Sequence, residues 1–212
     1  MNKFFLFLLA VPLLSGCSKI LSNIAGLNEK KAVDEKTILL LSKENNIPTE
    51  DSFQLDTLYF SFLSVVYNAS QRNNHYQPLQ ALYYDKEGLL CVFIVNCYAG
   101  GFPNLKWNRN HALETFLPKQ QAPVDSVLHL NLHLQFLKPM AGAKKISASY
   151  NDYTLVVYWS RFMGRQSTRF IKAIQKNSKL AQGKKVRVVY VNNDNFFAKV
   201  VKPSPSPYHY QK

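Results

Sequence analysis

The stretch that decides the fold is Thr154-Leu155-Val156-Val157-Tyr158-Trp159-Ser160-Arg161-Phe162-Met163-Gly164-Arg165-Gln166. Its first residues are apolar or β-branched and predict a strand. An amphipathic helix is predicted to follow over 164–180, and Gly183 ends it. A second apolar strand is predicted over 186–191, before Asn192-Asn193-Asp194-Asn195. Two strands joined by ten or more residues run parallel, so this part of the chain predicts a strand–helix–strand unit.

A hairpin is predicted upstream of this unit. One strand covers 79–84, the turn is Asp85-Lys86-Glu87-Gly88, and the return strand covers 89–98. A parallel pair and an antiparallel hairpin together predict an α/β fold, a mixed-sheet sandwich with helices. We expect it to form a single domain over 34–200.

The other elements of the domain are marked less strongly. Asp34 is a good N-cap and begins a predicted helix that ends at Ile47-Pro48. The pattern of 56–66 leaves strand and helix open. A polar loop is predicted over 68–77 and a short helix over 108–117.

The N-terminus carries an export signal. Lys3 precedes an apolar run over 4–14, which is too short for the ~20 residues that span a bilayer. A charged start, an apolar centre and small residues at the end are typical of a secretory signal. The ending, Leu14-Ser15-Gly16-Cys17, resembles the lipobox of bacterial lipoproteins. This resemblance implies that residues 1–16 are removed as a signal peptide and that Cys17 is lipidated.

The lipoprotein resemblance also implies a location. Residues 17–33 would form the lipid anchor and a tether, and residues 201–212 form a Pro-rich tail with no predicted structure. Ser18 does not match the inner-membrane retention rule known for enterobacteria. We therefore expect a lipid-anchored protein of the cell envelope, on the outer membrane and facing the periplasm.

The charge of the chain is strongly basic. It has 26 Lys and Arg against 13 Asp and Glu, a formal net charge of +13. Such an excess indicates polyanionic partners. Because the export signal argues against nucleic acid, anionic lipid, lipopolysaccharide and an acidic protein remain as candidates.

Much of this charge lies on the predicted helix. Nine basic residues and no Asp or Glu occur between Tyr153 and Asn193. Five basic residues follow three- and four-residue steps and share one helix face: Arg165, Arg169, Lys172, Lys176 and Lys179. Both a solvated outer face and a docking surface for an anionic partner are consistent with this pattern.

The opening stretch resembles the start of a thioredoxin-like domain. In that family an apolar strand runs into Trp-Cys-Gly-Pro-Cys, which opens a helix, and a second strand ends in Asn-x-Asp. Here Asn192-Asn193-Asp194 occupies the latter place. The resemblance covers residues 152–196. The hairpin and last helix of the family have no room after it, so a rearranged or merely analogous sheet is implied.

The resemblance implies the fold without the activity. The family motif falls on five residues of this chain: Phe162, Met163, Gly164, Arg165 and Gln166. Thioredoxin chemistry needs a low-pKa thiolate and a second thiol to resolve the mixed disulfide. Met163 and Gln166 supply neither.

Two further cysteines lie in the predicted return strand. Six strand steps place Cys91 and Cys97 about 20 Å apart, whereas a disulfide needs Cα atoms within about 7 Å. They cannot pair within one straight strand, and we expect two buried thiols. A divergent thiol oxidoreductase that uses Cys91 or Cys97 is the alternative function.

Metal and cofactor signals are weak. Apolar and polar residues alternate over 128–136, which favours a strand, although a helix starting near Asp125 is also consistent. On a helix His129 and His133 would share a face, but on a strand they would lie about 13 Å apart. We expect exposed histidines, no metal site and no cofactor.

The sequence therefore predicts a membrane-anchored envelope lipoprotein with a non-catalytic thioredoxin-like domain that acts as a binding or accessory module. A thiol oxidoreductase, a hydrolase with an unrecognised site, and a structural envelope protein held to the membrane by its basic face are the alternatives.

Overall fold

The computed structural model describes residues 26–101, 104–146 and 151–200. The described chain is built on one six-stranded sheet with the strand order β3-β2-β5-β6-β1-β4. The strands are β1 (Ser52–Leu55), β2 (Gln80–Asp85), β3 (Leu90–Val95), β4 (Leu137–Pro139), β5 (Tyr153–Trp159) and β6 (Val186–Asn192). The predicted α/β class with a mixed sheet is confirmed, and it is compatible with a thioredoxin-like or related fold.

The strand pairing confirms the two predicted units. β5 runs parallel to β6, with Leu155 opposite Val188, and β6 runs parallel to β1. β2 is antiparallel to both β3 and β5, so the upstream hairpin joins the sheet beside the strand–helix–strand unit. β4 closes the other edge, antiparallel to β1.

Seven α-helices of the described residues surround the sheet: α1 (Glu35–Glu44), α2 (Leu58–Val66), α3 (Ala69–His75), α4 (Asn96–Ala99), α5 (Leu130–Leu134), α6 (Arg165–Ser178) and α7 (Asp194–Val200). The predicted helix after Asp34 is confirmed as α1, where the Asp34 side chain accepts a hydrogen bond from the Thr37 amide. The helix predicted between the two parallel strands is confirmed as α6.

Alternation along the strands divides the core between two faces. On β5, Val156 and Tyr158 point into the first face, which is covered by α2, α5 and α7. Leu155, Val157 and Trp159 point into the second face, which is covered by α1 and α6. The central strand is thus buried on both sides, as its continuous apolar run requires.

The region 56–66, for which the sequence leaves strand and helix open, forms helix α2 from Leu58 onward. Two other local predictions were wrong. The predicted loop at 68–77 is helix α3, because the Asn68 side chain caps it by accepting from the Gln71 amide. The predicted helix at 108–117 is only a 3₁₀ turn, Arg109–His111, because the Asn108 side chain takes the Leu113 amide and the chain turns through positive φ at Asn110.

The strand favoured over 128–136 was also wrong. This region forms the short helix α5 before β4 begins. A helical turn buries Leu130 and His133 together against the first face, which a strand would point to opposite sides.

The ends of the sequence lie largely outside the described residues. The predicted signal peptide over 1–16, the predicted lipidation site Cys17 and the predicted tail over 201–212 all lie outside the described residues. Residues 26–33, which the sequence places in the tether, are described and lie against the domain. Across residues 26–101, 104–146 and 151–200, no helix has the length and apolar content needed to cross a bilayer.

Candidate functional site

The loop between β5 and α6, where the family resemblance places the active site, is held by the Asn-Asn-Asp segment. The buried carboxylate of Asp194 accepts hydrogen bonds from the backbone amides of Arg161, at 2.7 Å, and Phe162, at 3.2 Å. The Asn192 side chain donates to the same carboxylate at 2.8 Å. Burial raises the pKa of Asp194, and these hydrogen bonds oppose the rise. The segment therefore fixes the loop that precedes α6.

The two residues at the cysteine positions have structural contacts. Met163 is half-buried and packs against the hydrophobic core on both faces of the sheet. Gln166 is buried, and its Oε1 accepts from the Leu105 amide at 3.2 Å. Phe162 is buried with its ring against Phe197, at a centroid distance of 5.5 Å. These side chains position the backbone and offer no nucleophile.

Residues 26–33, here called the cover segment, lie over this loop. The Asn28 backbone amide donates to the Phe162 carbonyl at 2.8 Å, and its side chain donates to the Arg161 carbonyl at 2.7 Å. The Arg161 guanidinium donates back to the Glu29 carbonyl at 2.7 Å. The Lys30 ammonium lies 5.3 Å from the centre of the Phe162 ring.

The cover segment is anchored at both of its ends. Val33 and Asn195 exchange two hydrogen bonds, at 2.8 and 2.9 Å. At the other end, Gly26 packs on Gly164, whose φ is +48°. A Cβ on residue 164 would overlap the Gly26 carbonyl oxygen, so this contact requires glycine. The cover segment therefore closes off the first turn of α6 from a binding partner.

The outer face of α6 is different, because its predicted basic residues are all exposed: Arg165, Arg169, Lys172, Lys176 and Lys179. The structure places them at three locations. Arg169, Lys172 and Lys176 line one groove, whereas Lys179 lines another cleft. The Arg165 side chain packs near Gly26 of the cover segment.

The groove along α6, here called the basic groove, has a volume of about 530 Å³. Its opposite wall is formed by residues 105–109, and the buried Trp107 packs on Phe170 at 4.2 Å. Lys106 and Arg109 add two exposed cations from this wall. Neither residue was predicted as part of the site. The sequence Lys106-Trp107-Asn108-Arg109, with a basic residue on each side of a tryptophan, could have indicated them.

A larger cleft of about 610 Å³ lies beside the other end of α6. Arg187 and Asp51 form an ion pair of 3.0 Å there. Burial raises the pKa of Asp51, while Arg187 opposes the rise. Because the acid and the base neutralise each other, this cleft lacks the one-signed charge of the basic groove.

The two described cysteines are free thiols, and the expectation that both are buried was wrong. Cys91 is half-buried on β3, and Cys97 is exposed on α4, because the strand ends at Val95. Burial and the nearby Asp85 raise the pKa of Cys91 to about 11. Although Cys97 is exposed, partial burial also raises its pKa. Both groups are thiols rather than thiolates at neutral pH.

The expectation of two exposed histidines was wrong for His133 and correct for His129. His133 is completely buried, with its Nδ1 2.8 Å from the Tyr84 hydroxyl and its Nε2 hydrogen-bonded to the Tyr158 hydroxyl. Burial and the nearby His75 lower the pKa of His133 to about 3, so the ring is neutral. The structure does not bring His129 and His133 together on a common surface.

A second buried polar cluster lies on the same face. Asp125 accepts from Tyr67 at 2.8 Å and contacts His75 Nε2 at 3.0 Å. Burial alone would raise the pKa of Asp125, but these hydrogen bonds and those from the backbone lower it to about 2. In the part of the chain that the structure describes, no three His, Cys, Asp or Glu side chains are grouped to hold a metal ion.

The chain was compared with family models, with curated proteins and with solved structures, and none of them matches.

Proposed function

We propose that the protein is a membrane-anchored lipoprotein of the bacterial cell envelope whose α/β domain is a non-catalytic binding or accessory module. The observation that carries this proposal is the closed first turn of α6. Met163 and Gln166 stand where the thioredoxin-like resemblance expects thiols. The cover segment lies over the adjacent loop, where it is hydrogen-bonded to Arg161 and Phe162 and packs on Gly164. A substrate disulfide would meet neither a nucleophile nor an open surface at this position.

The alternative of a divergent thiol oxidoreductase is the weaker one. Cys91 and Cys97 lie on β3 and α4, away from the loop before α6. Their raised pKa values keep them protonated, whereas reactive cysteines have lowered values.

The anchoring part of the proposal rests on Leu14-Ser15-Gly16-Cys17. Several acyl chains on one cysteine would give stable attachment, since each buried CH₂ contributes about 0.8 kcal/mol. We place the protein on the outer membrane, facing the periplasm, because Ser18 follows the cysteine.

The test is a Cys17→Ala variant of the full-length chain. We expect it to accumulate as an unprocessed precursor without acyl chains, as measured by mass spectrometry of envelope fractions. Cys91→Ala and Cys97→Ala are the matched controls, and both should be processed and acylated normally. Normal processing and acylation of the Cys17→Ala variant would contradict the proposal.

A further inference from the structure

The basic groove concentrates charge of one sign. Five of the nine residues that line it are cations from two separate parts of the chain: Lys106, Arg109, Arg169, Lys172 and Lys176. Within the described residues, none of the five belongs to an ion pair. Like charges this close repel one another, so the groove is stabilised by an anion that binds there.

Glu114, an acid beside the groove, already has hydrogen-bond partners. Glu114 lies close enough to Lys176 to interact with its charge, but its carboxylate is bonded to His111 at 2.7 Å and to the Asn108 side chain at 3.1 Å. Its single charge leaves the groove with a large positive excess.

The arrangement of the cations fits a surface better than a single small ligand. Arg169, Lys172 and Lys176 are exposed and are spread over seven residue steps, or about 11 Å, along one side of α6. The groove is open, and Leu105 and Trp107 in its wall are both buried, so no apolar side chain of that wall is free to insert. A row of flexible cations spaced over this length matches an array of phosphates at a bilayer surface.

The cover segment keeps the groove within reach of such a surface. Eight residues lie between Cys17 and Gly26, so the two are nine residue steps apart. A fully extended chain reaches at most about 3.4 Å per residue, so this connection is no longer than about 30 Å. Gly26 contacts the Arg165 side chain at the start of α6, on the face that continues into the groove. An anchor at Cys17 would therefore keep this face within reach of the membrane.

We infer that the basic groove binds the phosphate-bearing headgroups of the anionic membrane in which the chain is anchored. The inference rests on the proposed lipid anchor, because the anchor would bring the groove close to a membrane. The attraction to phosphates rests on the cations of the groove alone. The bound groups are phospholipid phosphates, and Lys106 and Arg109 take part together with the face of α6.

The first experiment uses the acylated protein reconstituted into vesicles of phosphatidylcholine, with and without phosphatidylglycerol. The readout is the rate at which an amine-acetylating reagent modifies each lysine, resolved by mass spectrometry. We expect Lys106, Lys172 and Lys176 to react at least threefold more slowly on the anionic vesicles. Lys86, exposed on the β2–β3 turn, is the internal control and should react equally on both. The protection should disappear at 1 M salt, where the Debye length is about 3 Å.

The second experiment separates the groove from the anchor. The mature chain without its acyl groups should co-sediment with anionic vesicles and not with neutral ones. Lys172→Glu with Lys176→Glu should weaken this binding at least tenfold. Lys86→Glu with Lys145→Glu changes the net charge equally outside the groove and should leave most of the binding intact.

Equal acetylation on both vesicle types, or equal effects of the two double variants, would overturn the assignment of the groove. A soluble acidic peptide that protects the groove lysines while anionic vesicles do not would also overturn it, and would identify an acidic protein as the partner. Absence of acyl groups on the native protein would contradict the proposed anchor alone, because the second experiment does not depend on it.

Discussion

The two faces of the sheet place their polar groups in opposite ways. The first face buries titratable residues such as His133, His75 and Asp125, each hydrogen-bonded to a neighbour. The second face buries neutral amides such as Gln166 and Asn177, and its charges lie outside on α6. Residue types that often catalyse reactions are thus enclosed in one layer, while the exposed cations of the basic groove lie on the other. A residue type therefore indicates a function only where its side chain is also accessible to a partner.

The largest expected effect concerns the buried histidine. His133→Ala should lower the free energy of unfolding by about 4 kcal/mol, because it opens a cavity and leaves the Tyr84 and Tyr158 hydroxyls without their partner. His129→Ala, at an exposed position, should change it by less than about 0.5 kcal/mol. Urea unfolding monitored by circular dichroism measures both. A similar loss of unfolding free energy in the two variants would contradict the burial of His133 in the first face.

The next effect is a loss of stability in mild acid. His133 has a pKa of about 3 in the folded protein and 6.5 as the ordinary value, so between these the unfolded chain binds a proton that the folded chain does not. The contribution of His133 to the free energy of unfolding is therefore fully present above pH 6.5. Below pH 6.5 the free energy of unfolding falls by up to about 1.4 kcal/mol for each pH unit. Asp125 adds to the loss below its ordinary value of 3.8, since its folded pKa is about 2.

A His133→Gln variant sharpens the pH prediction. Between pH 6.5 and 4, the unfolding free energy of this variant should fall less steeply with decreasing pH than that of the native protein. The slopes should differ by about 1.4 kcal/mol per pH unit, which corresponds to one proton. An unchanged slope would mean that His133 is not the buried neutral group described for the first face.

The smallest effect concerns Gly164, on which the cover segment packs. Gly164→Ala should cost about 1–2 kcal/mol more than Gly183→Ala. Both glycines have positive φ, but only a Cβ at 164 meets the cover segment, whereas a Cβ at 183 enters open space. Thermal unfolding of the two variants gives the difference. Equal destabilisation would show that the cover segment is not packed on Gly164.

The sequence predicts the centre of the sheet well because buried strands must be apolar over their whole length. The runs at 154–159 and 186–191 and the hairpin strands are of this kind. Helix α5 was misjudged because five residues make little more than one turn, too short for a period of 3.6 to differ from alternation. The burial of His133 depends on Tyr84 and Tyr158, which are 49 and 25 residues away.

The candidate site was predictable only in part. The basic face of α6 follows from spacing along one helix, so the sequence identifies it. Lys106 and Arg109 belong to the groove because residues 105–109 pack beside α6. The spacing of residues along the sequence does not predict such a tertiary contact. The cover segment binds the loop largely through the backbone carbonyls of Phe162 and Arg161, and backbone partners leave no pattern in the side chains.

The docking of the cover segment also sets how strong the binding in the groove needs to be. If Cys17 is anchored as proposed, the nine residues before Gly26 confine the domain to a hemisphere of about 30 Å radius. One molecule in that volume corresponds to a local concentration on the order of 30 mM. A groove whose intrinsic dissociation constant for headgroups is only about 1 mM would then be occupied most of the time. Low affinity would be sufficient, and it would let the domain leave the bilayer and return many times without losing its anchor.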